Sequence, residues 1–172
     1  PAIVDYFVFT AGYDGATYAF DARTGETVWR TKVSDAIGSS PVYYDGLVYV
    51  ATEFYTPSGG MVALDAATGA IRWEDNRMTN HAHSITGIDT ESRAFAAGCN
   101  DGSLYVWDLD SRDFRGTFET DGAVKGPICM YDGMAIFGSW DGTVYAVDTE
   151  SLAEVWSYGA DGKVMAGGAV HP

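Results

Sequence analysis

One pattern recurs four times along this 172-residue chain, with a period of about forty residues. Each copy opens at a dipeptide that ends in glycine, and these dipeptides are Asp14-Gly15, Ser58-Gly59, Asp101-Gly102 and Asp141-Gly142. Short β-forming runs lie between the turns, and no stretch has helical periodicity of useful length. An internal repeat of this kind predicts an array of small antiparallel sheets, one for each copy.

The centre of the repeat is an aspartate, followed by a glycine and then by a tryptophan at constant spacing. The structural repeat positions are Asp21, Gly25, Trp29, Asp65, Gly69, Trp73, Asp108, Asp148 and Trp156. We expect the aspartate to accept hydrogen bonds from backbone amides two residues on, and the glycine to allow positive φ. The tryptophan is expected to cover the neighbouring sheet. In the fourth copy Leu152 stands at the glycine position. In the third copy Arg112 replaces the glycine, and Phe118, one or two positions late, is expected to replace the tryptophan.

The second copy shows the strands of one sheet most clearly. Its predicted strands are residues 38–44, 47–52, 61–64 and 71–74. Asp45-Gly46 predicts a two-residue hairpin, and residues 53–59 are expected to form a longer loop. Four antiparallel strands in about 42 residues form one blade of a β-propeller. The predicted fold class is therefore all-β, a β-propeller of four-stranded antiparallel blades with about four blades in this chain.

The whole of residues 1–172 is interpreted as a single β-propeller segment of four repeats. Its approximate blades are residues 1–36, 37–80, 81–122 and 123–162, and residues 163–172 are expected to start the next blade. The chain starts at Pro1 with neither an initiator methionine nor a signal peptide, so a processed product or a fragment is expected. Three arrangements stay open: a piece of a longer polypeptide, a homodimer closing an eight-bladed ring, or a compact closed ring of four blades.

The charge of the chain is strongly negative. There are 24 acidic and 10 basic residues, giving a net charge of −14. This field repels phosphate backbones and anionic lipid and disfavours nucleic-acid binding. Turn geometry accounts for many of the aspartates, whereas the scarcity of lysine indicates an acidic, halophilic protein with a haloarchaeal source. No apolar run approaches the length that spans a bilayer.

Five residues lie just before or within the turns that lead to the third strand of each repeat. They are Tyr13, Phe54, Tyr55, Asn100 and Trp140. The aromatic rings among them could form a platform for a planar or sugar ligand, with Tyr13, Tyr55 and Trp140 as the candidates. The alternative is that these side chains are partly buried and pack on the adjacent blade.

Two histidines are a second candidate for ligand binding. His81 and His83 are expected to share one face of the innermost strand of the third blade. Such a pair can begin a metal site, but no third ligand is identified, because His171 belongs to another repeat. Histidines that are solvated or hydrogen-bonded are the alternative, and no metal site is predicted. Cys99 and Cys129 have no metal-type spacing and are expected to be small buried residues.

The spacing of aspartate, glycine and tryptophan resembles the pyrroloquinoline-quinone-type (PQQ-like) repeat with its tryptophan-docking motif. The resemblance covers essentially the whole chain and is strong in three of the four copies. It implies a ring of seven or eight blades, of which this chain would form about half. Members of the family include quinoprotein alcohol dehydrogenases, scaffold lipoproteins for membrane-protein assembly, and sensor domains. The third copy, residues 101–109, also resembles a WD-type repeat.

The resemblance implies two classes of function. The first is a non-catalytic scaffold, outside the cytoplasm, that binds a protein or small-molecule ligand at the mouth of the channel without a cofactor. The alternative is part of a PQQ-dependent dehydrogenase that oxidises an alcohol or a sugar and uses PQQ with calcium. Such dehydrogenases carry adjacent cysteines, whereas this sequence has no Cys-Cys pair and no Asp or Asn cluster apart from its turns. No catalytic residue is predicted.

Overall fold

The computed structural model describes residues 1–168, and within this range the regular secondary structure is all β. The strands form four antiparallel sheets of four strands each, which confirms the predicted fold class. The described residues include no helix that could cross a membrane. The chain divides into two compact units, Pro1–His83 and Ser84–Pro172. Residues 169–172, which hold His171 and part of the predicted start of a further blade, lie outside the described range.

The first unit contains two sheets, in which consecutive strands are neighbours. The first sheet is formed by β1 (Ala2–Val4), β2 (Phe7–Ala11), β3 (Ala16–Asp21) and β4 (Thr27–Lys32). The second is formed by β5 (Val42–Tyr44), β6 (Leu47–Phe54), β7 (Ser58–Asp65) and β8 (Ile71–Met78). One core cluster draws on both sheets, with Phe9 and Trp29 from the first and Val48, Val50 and Leu64 from the second. Apolar side chains on the middle strands are therefore covered by the other sheet.

The second unit repeats this arrangement. Its first sheet, the third of the chain, is formed by β9 (Gly87–Asp89), β10 (Ala94–Gly98), β11 (Ser103–Asp108) and β12 (Phe114–Glu119). The fourth sheet is formed by β13 (Cys129–Tyr131), β14 (Met134–Gly138), β15 (Thr143–Asp148) and β16 (Glu154–Gly159). Leu104 and Val106 share a buried cluster with Ala135, Phe137 and Val147. Both cysteines are free, Cys99 buried and Cys129 half-buried.

The second sheet follows its predicted hairpin and departs from two other expectations. Asp45 and Gly46 have φ of 45° and 78°, as a two-residue hairpin with the right twist requires. Residues 38–41 lie outside β5, and the Ser39 hydroxyl instead donates to the Ala51 carbonyl at 3.0 Å and accepts from the Ala51 amide at 3.2 Å. The longer loop predicted at 53–59 is wrong, because β6 and β7 continue the ladder to a short turn between Phe54 and Ser58.

The repeat aspartates organise the turns between the third and fourth strands, as their spacing predicts. Asp65 Oδ1 accepts hydrogen bonds from the amides of Ala67 and Thr68 at 3.1 and 2.9 Å, and from the Thr68 hydroxyl at 2.8 Å. The same oxygen makes the equivalent amide bonds in the other three sheets, at Asp21, Asp108 and Asp148. Each turn is thus held locally, by the side chain that begins it.

Trp29 joins the first sheet to the second. Its ring is 8% exposed, and its Nε1 donates to the Ala66 carbonyl at 2.9 Å. A Cβ added to Gly69 would lie 2.7 Å from the ring, so the glycine at the repeat position makes room for the indole. Gly69 also has a φ of 72°, which few other residues adopt without strain.

The third sheet corrects the expectation for Phe118. The pairs that place the tryptophan in each ladder are Ala19–Trp29, Ala63–Trp73 and Ala146–Trp156, and the matching pair in the third sheet is Val106–Gly116. Gly116 therefore occupies the tryptophan position, and Phe118 instead packs edge-on against Phe137 and Tyr145. Phe118 lies two residues further along β12, so it belongs to a different part of the interface.

The space above Gly116 is filled from the fourth sheet. A Cβ on Gly116 would collide with Cδ1 of Leu152, the residue that replaces glycine at the repeat position. In both units a large residue on one sheet contacts a glycine on the other. The earlier sheet supplies the large residue in the first unit, and the later sheet supplies it in the second. In the first unit it is Trp29 on Gly69, and in the second it is Leu152 on Gly116.

The other two repeat tryptophans, Trp73 and Trp156, are less covered by neighbouring residues than Trp29. Trp73 is half-buried. Trp156 is 42% exposed, and every residue of β16 is exposed. No sheet among the described residues covers Trp156, so the expectation that a neighbouring sheet covers this tryptophan stays a prediction.

Candidate functional site

Aspartates also hold the connections between the second and third strands. Asp101 accepts the Ser103 amide at 3.0 Å through Oδ1 and the Tyr105 hydroxyl at 2.8 Å through Oδ2. The same pairs of contacts link Asp14 with Ala16 and Tyr18, and Asp141 with Thr143 and Tyr145. Only the second sheet departs from this rule, since Ser58 stands at the equivalent position. These carboxylates fix the connections that carry Tyr13 and Trp140, whereas the amide of Tyr55 donates to Asp35 Oδ2 at 2.9 Å.

The predicted aromatic residues differ in exposure. Tyr13 is 74% exposed and Tyr55 is 81% exposed, so both present their rings to solvent. Trp140, in the second unit, is half-buried, and the ammonium groups of Lys125 and Lys163 each lie 4.0 Å from its ring centroid. Because two ammonium groups already contact this ring, it forms cation–π interactions and is less available as a platform for a ligand. Phe54 and Asn100 are half-buried.

The two histidines meet a buried glutamate at the end of β6. The predicted strand around them is absent, since His81 and His83 lie in the connection after β8 and before β9. His81 Nδ1 is 3.7 Å from Oε2 of Glu53, and His83 Nδ1 is 3.2 Å from Oε1. The ligand atoms of these three residues all lie within 4.8 Å of one another. The structure thus supplies the third group that the sequence did not identify.

Backbone contacts fix both Glu53 and the segment that carries the two histidines. The amide and carbonyl of Glu53 pair with those of Ala36 at 3.1 Å, and Glu53 Oε1 accepts the Gly38 amide at 2.7 Å. A Cβ on Gly38 would collide with the His83 ring and lie 2.6 Å from Glu53 Oε1. A Cβ on Gly59 would lie 2.6 Å from the Asn80 carbonyl, so this glycine lets the histidine segment approach β7. The three side chains are therefore held by close packing of the main chain.

The side-chain exposure of the cluster is graded. Glu53 is 6% exposed, whereas His81 and His83 are 34% and 28% exposed. The carboxylate lies at the base of the cluster and the imidazoles border the solvent. Two imidazoles and one carboxylate can bind a cation or exchange protons with solvent.

The cluster does not match a calcium-held quinone. Calcium takes six to eight oxygen ligands, whereas two of the three donors here are nitrogen. The repeat aspartates, which offer further carboxylates, are engaged in their own turns. The cluster of Glu53, His81 and His83 therefore does not fit calcium-held PQQ.

Sequence reasoning missed Glu53 because that residue was assigned to a loop. The available signal was a single acidic residue that directly continues the apolar run of residues 47–52. A carboxylate in line with a buried strand has to find a hydrogen-bond donor or a cation, which marks it for inspection.

Relatives of this chain include an assembly factor, alcohol-oxidising dehydrogenases and serine/threonine-protein kinases. The chain is 26% identical over 163 residues to the outer membrane protein assembly factor BamB of Yersinia pestis, covering 87% of this chain and 40% of that protein. It is 34% identical over 84 residues to the polyvinylalcohol dehydrogenase of a Sphingopyxis strain, covering 39% of this chain and 13% of the enzyme. The chain thus spans less than half the length of these relatives.

A solved structure shares the fold. The crystal structure of BamB from Moraxella catarrhalis matches with a TM-score of 0.74 at 22% identity, over 91% of this chain and 46% of that one. In addition, the family described as outer membrane protein assembly factor BamB matches residues 1–115. The four sheets are therefore blades of a β-propeller, and the chain belongs to the BamB family of PQQ-like repeat proteins.

Proposed function

We propose that this chain is a non-catalytic β-propeller module that acts outside the cytoplasm and binds a partner protein. The match of residues 1–115 to a family described as an outer membrane protein assembly factor carries this proposal. The binding surface is the end of the blades where Tyr13 and Tyr55 project from short, hydrogen-bonded connections. Exposed tyrosines on rigid connections favour protein recognition, because they supply contact area at low entropic cost.

Site-specific photo-crosslinking tests this role. A photoreactive residue is placed at Tyr55 or Tyr13 of the full chain, and the protein is illuminated in the cells that produce it. Tyr131 is the matched control, because it is an exposed tyrosine at the opposite end of its sheet. We expect a discrete protein adduct from Tyr13 and Tyr55 and none from Tyr131. The same adducts from all three positions, or none from any, would contradict the proposal.

The alternative function is part of a PQQ-dependent dehydrogenase that oxidises an alcohol or a sugar. It is supported by the similarity to polyvinylalcohol dehydrogenase. The donor set of Glu53, His81 and His83 does not favour it, because two of the three donors are nitrogen. Titration with PQQ and calcium, followed by absorbance and dye-linked oxidation, distinguishes the two functions. Failure to bind the cofactor at micromolar concentration would exclude the enzymatic role for this segment.

We infer that Trp156 docks on a further blade of the same kind. Trp156 occupies the ladder position of Trp29, which packs on the glycine turn of the next sheet. The exposed strand β16 offers the same surface, with Val155, Trp156 and Tyr158 53%, 42% and 69% exposed. The blade that covers it comes either from a longer polypeptide or from a second copy that closes an eight-bladed ring.

The mass of the 172-residue chain in solution separates these two sources. A dimer that Trp156→Asp converts to a monomer supports the second copy. The emission of Trp156 is obtained as the difference between the wild type and Trp156→Phe, because the chain has five tryptophans. A monomer in which this difference reports solvent exposure supports a blade supplied by a longer polypeptide. A monomer with this indole shielded from a soluble quencher would contradict the docking proposal.

We also infer that the chain is adapted to concentrated salt, as a haloarchaeal source would require. The net charge of −14 and the presence of only three lysines support this inference. A high net charge favours solubility, and concentrated salt screens the repulsion between carboxylates that otherwise destabilises the folded state.

A further inference from the structure

We propose that Glu53, His81 and His83 bind a divalent transition-metal ion of the zinc class. The cluster lies within the first unit, and all three donor atoms approach one point at the end of β6. In a tetrahedral site with ligand bonds of about 2.1 Å, neighbouring donors are separated by about 3.4 Å. The Nδ1 atoms of His81 and His83 lie 3.7 and 3.2 Å from different oxygens of Glu53, and one donor atom from each residue lies within 4.8 Å of the other two. Small side-chain movements would bring the three donors to this spacing.

The position of the proton on the His81 ring also supports metal binding. Its Nε2 lies 3.1 Å from the carbonyl oxygen of Phe54, which can only accept a hydrogen bond. The neutral ring therefore carries its proton on Nε2 and turns the lone pair of Nδ1 towards Glu53. At 3.7 Å the Nδ1–Oε2 contact is too long for a hydrogen bond, so a cation between the two atoms would satisfy both.

This hydrogen bond is also the usual support of a metal-binding histidine. Such residues donate the second ring nitrogen to a carbonyl or a carboxylate, which fixes the tautomer and the ring orientation. The Gly38 amide does the same for the carboxylate of Glu53 at 2.7 Å. Two of the three ligands thus already have the outer hydrogen bonds that a metal site needs.

The donor set selects the class of metal. Imidazole nitrogen suits zinc, cobalt, nickel and copper, whereas calcium and magnesium prefer oxygen. Three protein donors leave one position of a tetrahedral ion open, and the partly exposed imidazoles place that position towards solvent. Water fills the fourth position in this proposal.

Metal titration of the whole chain tests the site. Protein treated with a chelator and then dialysed is titrated with Zn²⁺ by calorimetry and with Co²⁺ by visible absorbance. We expect one high-affinity ion for each chain and a cobalt spectrum typical of four-coordination by nitrogen and oxygen. Affinity should fall in acid, because protons compete with the metal ion for the imidazoles.

Variants assign the ligands. Glu53→Gln and His81→Ala should each weaken binding by at least about 10- to 100-fold, the range found for disturbed metal sites. Glu74→Gln, which removes an exposed glutamate from β8, should leave the affinity unchanged. His81→Ala alters a partly exposed side chain, so it keeps the test valid if Glu53→Gln fails to fold. Binding by His81→Ala at wild-type affinity, or no stoichiometric binding by the wild type, would overturn the proposal.

Discussion

At the scale of single residues, the repeat aspartates convert a turn into a charged hydrogen-bonding centre. Hydrogen bonds from Arg72 and then from Thr68 lower the pKa of Asp65 to about 2. The Ser111 amide and then Arg115 lower the pKa of Asp108 to about 2 as well. In both cases the folded protein stabilises the carboxylate over the carboxylic acid. The turns are therefore sensitive to acid.

The sign of this effect gives a pH prediction. Because the pKa of Asp65 is lower in the folded state than its ordinary value of 3.8, its stabilising effect is complete above about pH 4 and is lost as the pH falls towards 2. We expect the melting temperature to fall across this window. Asp65→Asn should lower the melting temperature at pH 7 and flatten its dependence on acid.

Asp161→Asn is the matched control, since Asp161 is exposed and lies outside the four repeat turns. It should retain the acid dependence of the wild type. If Asp65→Asn and Asp161→Asn gave the same pH profile, the turn carboxylate would have no special role.

The repeat tryptophans give a second prediction at this scale, because their burial is unequal. Trp29→Ala should lower the free energy of unfolding by about 3–5 kcal/mol, as expected for a buried aromatic side chain that is removed from a core. Trp156→Ala should cost clearly less in a monomer of this chain, since its ring is 42% exposed, whereas Trp29 is 8% exposed. Urea unfolding of both variants measures the difference. Equal losses would show that burial of the ring does not set its contribution.

At the scale of elements, the four sheets share one geometric device. The ladder between the third and fourth strands shifts its register directly after the tryptophan position in every sheet, at Ala19, Ala63, Val106 and Ala146. Such a shift bends the strand and increases its twist. The residue type at the tryptophan position depends on the residue that it contacts on the neighbouring sheet. Trp29 contacts Gly69, whereas Gly116 contacts Leu152, so the large and the small residue can be exchanged.

A double-mutant cycle tests this exchange. Gly116→Ala should destabilise the protein by about 1–3 kcal/mol, because the added methyl group meets Leu152. In the Leu152→Ala background the same change should cost much less, since the obstructing atoms are gone. Gly116 has a φ of 148°, so alanine also adds backbone strain there, but this strain is common to both backgrounds and cancels in the cycle. Additive free energies in urea unfolding would contradict the contact.

At the scale of the whole molecule, the net charge of −14 opposes folding at low ionic strength. Salt at 1 M reduces the screening length to about 3 Å and removes most of the repulsion between exposed carboxylates. We expect the melting temperature to rise from low to molar potassium chloride. The experiment uses a chloride salt and not a sulfate, because sulfate also strengthens apolar burial and would raise the melting temperature by a second effect. Equal melting temperatures in both conditions would contradict a role for charge repulsion.

Much of the architecture could be predicted from the sequence. The four sheets, the Asp45-Gly46 hairpin and the hydrogen bonds of Asp65 were all predicted. Each depends on residues a few positions apart, whose φ preferences and side-chain hydrogen bonds act before any distant contact forms. The extent of β6 and β7 was misjudged, because glycines at their turn resemble a loop in sequence.

The candidate site was predicted only in part, because its members come from separate segments. Two histidines of the cluster were identified, but Glu53 meets them only because Gly38 and Gly59 let two connections approach the end of β6. The replacement of a tryptophan by Gly116 was likewise hidden, since it is compensated by Leu152 from the next sheet.

The sequence by itself determined the repeat, the turns and the strands, because local conformational preferences are written into neighbouring residues. Only the tertiary structure decided which side chains face each other across the sheets and at the end of β6. Those choices depend on volume and charge at positions far apart in the chain, where a large residue needs a small partner and a buried carboxylate needs a donor or a cation.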